Sequence, residues 1–361
     1  MDSQISPSYY FKKKIFKKEN KSIFEKLWIC VGFEHDFKND NDFITIMVAN
    51  KPIVVQRIKG DVKAFLNICS HRFSKIQIKD CGNRPLICPY HGWAYSKEGI
   101  PIGIPKKPLF KNYSKSELEE MKLTEYRVEK CGKLYFITLS EKAPSLKDYL
   151  GSYYNDIEHI TNSFGNRLDI NNLKIKSNWK IIIENTMEAY HLSTVHKETL
   201  AKLMPITTNE NLNFSFDSPH SFYTIPLLIN GSSKKFEFIN HNFSERKYKI
   251  DGFVHYLIFP NLLISSSYGT TFNVSIINPI SESKSNFQSN VFLAKLNNNV
   301  KVETLKDYVE TVISYNRKVF DEDKIACESV QEVVYSSNQR GVLSLEEKRV
   351  HIFQQDYLKY I

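Results

Sequence analysis

An α+β chain of two domains is what this sequence predicts, and three observations predict it. From Phe43 to Phe136 the chain runs as short β segments, FITIMVA, PIVVQRI, AFLNIC, PLICP and KLYFITL, cut by polar turns, which is the texture of a small all-β domain. Beyond residue 150, two long helical patterns bracket a series of candidate strands, which indicates a curved antiparallel sheet framed by helices. Ala143-Pro144-Ser145 and the SYYND segment mark the break between these regions. The expected division is 1–42 as an N-terminal segment packing with the C-terminal domain, 43–150 as the β domain, and 151–361 as the C-terminal domain. At 361 residues, 42% hydrophobic and 13% aromatic, the chain is long enough for two separate cores.

Taken in order, Ser22 to Val31 alternates charged and apolar residues at helical spacing, with Ile23 and Leu27 on one side. It reads as an amphipathic helix feeding a strand at Trp28–Gly32. Ser177–Leu200 reads as a helix, and YTIPLLI, FVHYLIF, LLISSSY, FNVSIINPI and NFQSNVFLAKL read as strands. A last helix spans 302–334, with an apolar stripe of Leu305, Val309, Val312, Val319, Ala326, Val330 and Val333. The start, MDSQISPSYY, lacks the basic residues and apolar run of a signal peptide, and no apolar stretch reaches membrane-spanning length, so a cytoplasmic location is expected. Six Cys without framework spacing argue against disulfides. The excess of 49 basic over 40 acidic residues gives +9, but the Lys are mostly dispersed, with groups at Lys12–Lys14, Lys17–Lys18 and Lys106–Lys107. No nucleic-acid motif accompanies them. They read as a solvated surface, or as a basic rim suited to an acidic electron donor.

Chemistry concentrates in Asn67–Tyr95. Cys69-Ser70-His71 is followed, after sixteen residues, by Cys88-Pro89-Tyr90-His91-Gly92-Trp93. Thiolates suit iron–sulfur clusters or zinc, and imidazole suits either metal. One Cys and one His per loop matches a [2Fe–2S] centre in which one iron takes both thiolates and the other both imidazoles. Structural zinc sites more often group Cys-x2-Cys with His-x3–5-His, so zinc is the competing reading. Cys81, alone in a polar turn, reads as a free thiol.

The stretch resembles the Rieske signature. Respiratory Rieske proteins carry an extra Cys in each loop, where this chain has Ser74 and Tyr90, so the resemblance is to the oxygenase type. Many members have Gly where this chain has Phe73; either the backbone differs there or Phe73 shields the cluster.

A second constellation, Asn178-Trp179-Lys180…Glu184-Asn185…Glu188-Ala189-Tyr190-His191…His196, lies in the first long helix. Glu188 and His191, three apart, share a helix face. His196 lies five residues on and off that face, so convergence on one ion requires the helix to end or distort near Ser193-Thr194. The pattern resembles the mononuclear iron motif of Rieske non-haem iron oxygenase α subunits, whose third ligand comes from the last helix. On that helix Asp323 falls on the apolar stripe, whereas Asp321 and Glu322 point away. Two His and a carboxylate form a facial triad with positions left open.

The resemblance covers nearly the whole chain, including Phe259-Pro260-Asn261 and the tail Glu322-Asp323…Cys327-Glu328…Gln331…Arg340-Gly341…Ser344…Glu347…Val350…Phe353. It looks closest to the choline, carnitine and glycine-betaine monooxygenase branch of the aromatic-ring-hydroxylating family. It implies a helix-grip (START/Bet v 1-like) catalytic domain with an inserted Rieske domain. The cluster would be held by Cys69, His71, Cys88 and His91, and the mononuclear Fe(II) by His191, His196 and Asp323. Glu188 would stand at the usual Asp position, bridging to His91 of a neighbouring chain in a head-to-tail homotrimer. The implied function is that of a terminal oxygenase using O2 and electrons from a separate NAD(P)H-dependent flavin or ferredoxin-type reductase, acting on a small organic substrate such as a quaternary ammonium metabolite. Competing readings are an aromatic or natural-product-tailoring oxygenase, a Rieske protein that only transfers electrons, and a zinc-stabilised interaction protein. Phe214, Phe216, Phe222, Tyr223, Phe253, Tyr256 and Tyr268 are candidate pocket aromatics, suited to cation–π contact, to stacking on an aromatic substrate, or to a core.

Overall fold

Short apolar runs between tight polar turns satisfy their backbone groups by pairing with one another. In the computed structural model, which describes residues 1–202, 213–226, 233–243 and 252–361, they do so in two compact units. One is Asn20–Tyr149; the other joins Met1–Glu19 to Leu150–Ile361. Helix α1 (Lys13–Glu19) belongs to the second, and a π turn at Asn20–Phe24 opens the first.

The first unit contains β1 (Ile29–Phe33), β2 (Asp42–Val48), β3 (Lys51–Ile58), β4 (Asp61–Leu66), β5 (Cys81–Asn83), β6 (Ala94–Tyr95), β7 (Pro101–Gly103), α2 (Lys115–Glu120), β8 (Glu125–Cys131), β9 (Leu134–Thr138) and the start of α3 (Leu146–Leu150). Seven strands form an antiparallel sheet in the order β1-β9-β8-β4-β3-β2-β5, and β6 and β7 form a separate ribbon. The β2–β3 hairpin turns through Ala49 and Asn50, both at positive φ (50° and 63°), as a two-residue turn matched to strand twist requires.

Three expectations change here. Residues 20–42 were assigned with the C-terminal domain, but β1 pairs with β9, so they lie in the β unit and only Met1–Glu19 join the other. The helix expected over 22–31 stops at the π turn. The strand expected at Trp28–Gly32 lies at Ile29–Phe33 and is buried throughout, and Trp28 donates to the Pro144 carbonyl (3.0 Å) beneath the Arg127 guanidinium. PLICP is not a strand either, since Ile87 makes only an isolated bridge to Ala94.

The second unit contains α4 (Tyr153–Asn162), β10 (Phe164–Ile175), α5 (Trp179–Thr186), α6 (Leu192–Val195), β11 (Asn213–Asp217), β12 (His220–Pro226), α7 (Ser233–Phe243), β13 (Gly252–Ile258), β14 (Leu262–Ser267), β15 (Thr271–Ser281), β16 (Lys284–Ala294), α8 (Lys306–Val333) and α9 (Lys348–Leu358). Its curled antiparallel sheet runs β10-β16-β15-β14-β13-β12-β11, and the α+β class stands. Residues 227–229 of the candidate strand YTIPLLI lie outside the described residues. Strand β10 escapes the apolar pattern because much of it is polar and only partly covered.

On α8 the inward row is Asn316, Phe320, Asp323, Cys327 and Gln331. Asn316 takes a hydrogen bond from Ser289 (3.0 Å), Gln331 takes one from the Asn178 amide (2.7 Å), and Phe320 packs on Phe287. Val330 and Val333, expected inside, are 47% and 61% exposed. Glu19 ties α1 into this unit: its carboxylate accepts from Lys180 Nζ (2.5 Å), the Tyr357 hydroxyl (2.7 Å) and Trp179 Nε1 (3.0 Å), with Glu19 and Lys180 both 0% exposed. A buried ion pair survives in this form because further hydrogen bonds satisfy its remaining atoms.

The two Cys-His loops share one backbone turn. Cys69 donates to the Ser74 carbonyl (2.8 Å) and accepts from the Phe73 amide (3.0 Å); Cys88 donates to the Trp93 carbonyl (2.8 Å) and accepts from the Gly92 amide (2.9 Å). The fourth residue after each Cys is left-handed, Gly92 at φ 74° and Phe73 at φ 61°. The backbone at Phe73 is therefore that of the Gly loop, and its ring is 82% exposed. A non-glycine residue there costs about 1–2 kcal/mol. Phe73→Gly should stabilise the β unit by about 1 kcal/mol after allowing for the greater freedom of glycine in the unfolded chain, which is read as a higher urea midpoint. A lowered midpoint would mean that the ring packs against something in the assembled protein.

Candidate active site

In the β unit, Cys69 and Cys88 are each 1% exposed and form part of the core with Phe65, Ile76, Leu86, Trp93 and Tyr95. The His71 ring stacks on Trp93 (5.0 Å between centroids) and meets the His91 ring at 4.6 Å. The Tyr95 hydroxyl lies 3.0 Å from Cys69 Sγ and accepts from the Ser70 amide. Burial pushes the Cys69 thiol up, and the Cys88 thiol beside it adds to this. His71 Nδ1 is buried with no hydrogen-bond partner, an expense that metal ligation offsets. The four predicted residues are thus brought together, and two thiols, two imidazoles and an orphaned ring nitrogen fit a mixed Cys/His iron–sulfur centre. Cys81 lies apart and exposed on β5.

In the second unit, Asn178 caps α5 by accepting from the Lys180 amide (3.0 Å). The helix does not run on to Leu200. It ends at Thr186, where Thr186 Oγ1 donates to the Ile183 carbonyl (2.8 Å) and Met187 closes the last turn onto Glu184 (3.2 Å). The break therefore comes before His191, upstream of Ser193-Thr194. His191 then stands as the N-cap, and His196 as the C-cap, of the one-turn α6. The segment between them is itself one helical turn, with Val195 N donating to the His191 carbonyl (2.9 Å) and His196 N to the Leu192 carbonyl (3.1 Å), so the two rings are brought together by the reach of their side chains and not by a break between them.

His191 Nε2 and His196 Nε2 are 3.2 Å apart, and Asp323 Oδ1 lies 3.0 Å from His196 Nε2 and 3.6 Å from His191 Nε2. Metal–ligand bonds of about 2.1 Å at right angles place donors about 3.0 Å apart, so these three atoms are spaced as one face of a coordination sphere. Each ring is held from behind: His191 Nδ1 on Glu188 Oε1, and His196 Nδ1 on Glu322 Oε2 (2.7 Å), which Thr199 Oγ1 also contacts (2.7 Å). The other Glu188 oxygen accepts from the Tyr190 and His191 amides. Asn185 donates to Asp323 Oδ1 (2.8 Å).

Burial opposes charge on His191, but hydrogen bonds to Asp323 and Glu188 outweigh it and lift the ring to about 9. Burial likewise opposes charge on Asp323, and the two imidazoles hold it down at about 2. Three carboxylates, Glu188, Glu322 and Asp323, thus face the two imidazoles, a concentration of negative charge that suits a divalent cation.

Glu322 corrects the sequence reading, which turned it away from the site. At 100° from Asp323 it lies off the helix's inward row but within reach of His196, and nothing in the apolar pattern signals that. The roles of Asn185 and Thr199 were also missed. Of the pocket candidates, Phe214, Tyr223 and Phe253 pack with Ala189 and Leu192 beside the iron-motif turn. Phe222 and Tyr256, packed on each other, occupy the opposite face of the sheet.

Among the described residues no helix is long and apolar enough to cross a membrane, and none of the six cysteines forms a disulfide. The chain is 29% identical over 209 residues to the glycine betaine monooxygenase oxygenase subunit of Pseudomonas aeruginosa, a match covering 54% of this chain and 45% of that protein. The chain thus spans about half the length of that relative. It is 26% identical to the chloroplastic choline monooxygenase of Beta vulgaris over 98% of this chain and 76% of that protein. By fold it is similar to the quaternary ammonium Rieske monooxygenase CntA in complex with L-carnitine (TM-score 0.78, 20% identity, 98% of this chain and 94% of that one). It is also similar to naphthalene 1,2-dioxygenase of Rhodococcus sp. bound to indole (TM-score 0.80, 20% identity, 99% and 94%). A Rieske [2Fe-2S] domain is matched at residues 27–114. The model of the ring hydroxylating alpha subunit catalytic domain matches residues 152–361, more than half of the sequence, and the chain belongs to that family.

Proposed function

We propose that this chain is the terminal oxygenase component of a Rieske non-haem iron system, taking electrons from a separate NAD(P)H-dependent flavin or ferredoxin-type reductase and using O2 to hydroxylate, or oxidatively demethylate or cleave, a small organic molecule. The observation that carries this is the triad of His191 Nε2, His196 Nε2 and Asp323 Oδ1, spaced within a single coordination sphere. In this reading those residues hold Fe(II), while Cys69, His71, Cys88 and His91 hold the cluster. The iron, when bound, supplies O2 activation, and the cluster stores one electron at a time. The chain's own residues set the geometry. Glu188 and Glu322 accept from the Nδ1 atoms and so fix both imidazoles with Nε2 forward. Phe214, Tyr223 and Phe253 wall the adjoining space with aromatic carbon and keep water from it.

For substrate, the reading favours a nitrogen-containing, N-methylated molecule. Glycine betaine, choline, carnitine and a dimethyl phenylurea name the substrates of four relatives, and an aromatic wall suits a methylammonium group. An aromatic acid is the second reading, favoured by the 31% identity to an anthranilate 1,2-dioxygenase large subunit. Six cysteines without a disulfide fit a reducing, cytoplasmic setting.

The two metal sites are built by separate units. A neighbouring copy that brings its cluster to this iron fits a head-to-tail ring of three, and the structure of a quaternary ammonium Rieske monooxygenase is described with inter-subunit electron transfer. Glu188 is the bridging acid in this arrangement. Its carboxylate accepts from its own chain and retains lone pairs for the exposed His91 of a neighbour.

Replacing His191, His196 or Asp323 with Ala should empty the mononuclear site and leave the cluster's visible spectrum intact, as read by metal analysis with absorption. Full iron content in Asp323→Ala would exclude Asp323 as the third ligand.

Glu188→Gln should keep both metals and lose about 10–100-fold in turnover, with a cluster that reduces rapidly and reoxidises slowly in the presence of substrate and O2. Normal reoxidation would place the electron path elsewhere.

Mixing Cys69→Ala, which lacks the cluster, with His196→Ala, which lacks iron, should restore part of the activity once subunits exchange. Verified mixed oligomers without activity would argue for a path within each chain.

A further inference from the structure

The C-terminal helix α9 carries an arginine that no metal motif contains. Arg349 is 0% exposed, and its guanidinium lies 4.7 Å over the Tyr223 ring. Nε donates to Ser221 Oγ (3.2 Å), and one terminal nitrogen donates to Ser221 Oγ (3.1 Å) and the Ser221 carbonyl (3.3 Å). The other terminal nitrogen reaches His255 Nδ1 (3.2 Å) and the Met187 carbonyl (3.4 Å). Burial, and Arg349 itself, hold His255 neutral, so that Nδ1 can accept. Among the described residues the acceptors of this buried cation are therefore two carbonyls, a hydroxyl, a ring nitrogen and an aromatic face. A buried charge requires such a full set of partners.

One of these acceptors has a special place. Met187 is the residue on which α5 ends, where unpaired carbonyls and the negative end of the helix dipole collect. Helix α9 grips the preceding turn as well: Gln354 donates to Glu184 (3.0 Å), which also accepts from the Tyr10 hydroxyl. Residues 184 and 187 are thus both held by α9, directly before the Glu188–His191 turn.

We propose that Arg349 is a positioning residue of the iron site, its guanidinium pinning the end of α5 to the paired strands β12 and β13 so that the chain leaves the helix in the direction that carries His191 to His196 and Asp323. This role rests on His191 and His196 being iron ligands. A planar fork is needed because one group must reach Ser221, His255 and Met187 together; a lysine ammonium cannot span them.

The test is Fe(II) affinity by chelator competition on protein with an intact cluster, together with the urea midpoint and the spectrum of the iron–nitric oxide adduct. Arg349→Met should bind Fe(II) at least tenfold more weakly with an unchanged cluster spectrum and a broadened adduct signal. Arg349→Lys should recover less than half of that loss, and Ser221→Ala, which removes the guanidinium's main anchor, should weaken binding about threefold. His196→Ala serves as the reference. If it loses iron while the folded Arg349 variants bind as tightly as the unmodified chain, the role of Arg349 is overturned and the ligand assignment stands. If His196→Ala keeps its iron, both fall. Should neither Arg349 variant fold, Ser221→Ala decides, and unchanged affinity there overturns the proposal.

Discussion

Three donor atoms, His191 Nε2, His196 Nε2 and Asp323 Oδ1, have to stand 3.0–3.6 Å apart although they come from two separate helices. Most of the C-terminal unit can be understood as the answer to that constraint. Helix α5 stops at Thr186, a short turn follows, and α6 is only long enough to carry a histidine at each end. The third donor arrives on α8, whose inward row of Asn316, Phe320, Asp323, Cys327 and Gln331 is fixed by contacts with β16 and with the start of α5. A helix end is a weak point; this one is gripped from α9, and the start of α5 is braced by the buried Glu19–Lys180 pair at its second residue.

The two metal sites solve the same electrostatic problem differently. In the β unit, thiols and a ring nitrogen are buried with few partners, which makes the pocket costly until a cluster fills it. In the C-terminal unit each donor is already paired, the imidazoles with Glu188 and Glu322 and the aspartate with both rings and Asn185. That site is held in place by its own hydrogen bonds.

What could be read from sequence follows from what kind of signal each feature leaves. The Cys69/His71 and Cys88/His91 loops were legible because their chemistry is local in sequence. Asp323 was legible because a carboxylate on a buried helix face is anomalous. Glu322 was not: an apolar stripe resolves which side of a helix is inside, but not that a long side chain at its edge reaches an imidazole on another element. Arg349 left no trace either, since an arginine in a charged stretch, EEKR, reads as surface. The stripe also failed at Val330 and Val333, where Cys327 and Gln331 take the inner positions. The boundary at 42 failed because the partner of Ile29–Phe33 is β9, a strand about a hundred residues later, and such a long-range pairing leaves no local signal.

Glu19 has one more consequence, for the order in which the protein can be made. Its carboxylate meets the Tyr357 hydroxyl, 338 positions further along, while the whole β unit, Asn20–Tyr149, is threaded between α1 and the rest of its own unit. At about 5–20 residues per second on the ribosome, α1 leaves the exit tunnel tens of seconds before its partners exist. All of the β unit is synthesised in that interval, and α1 has to wait for α9 before Glu19 can have all its partners.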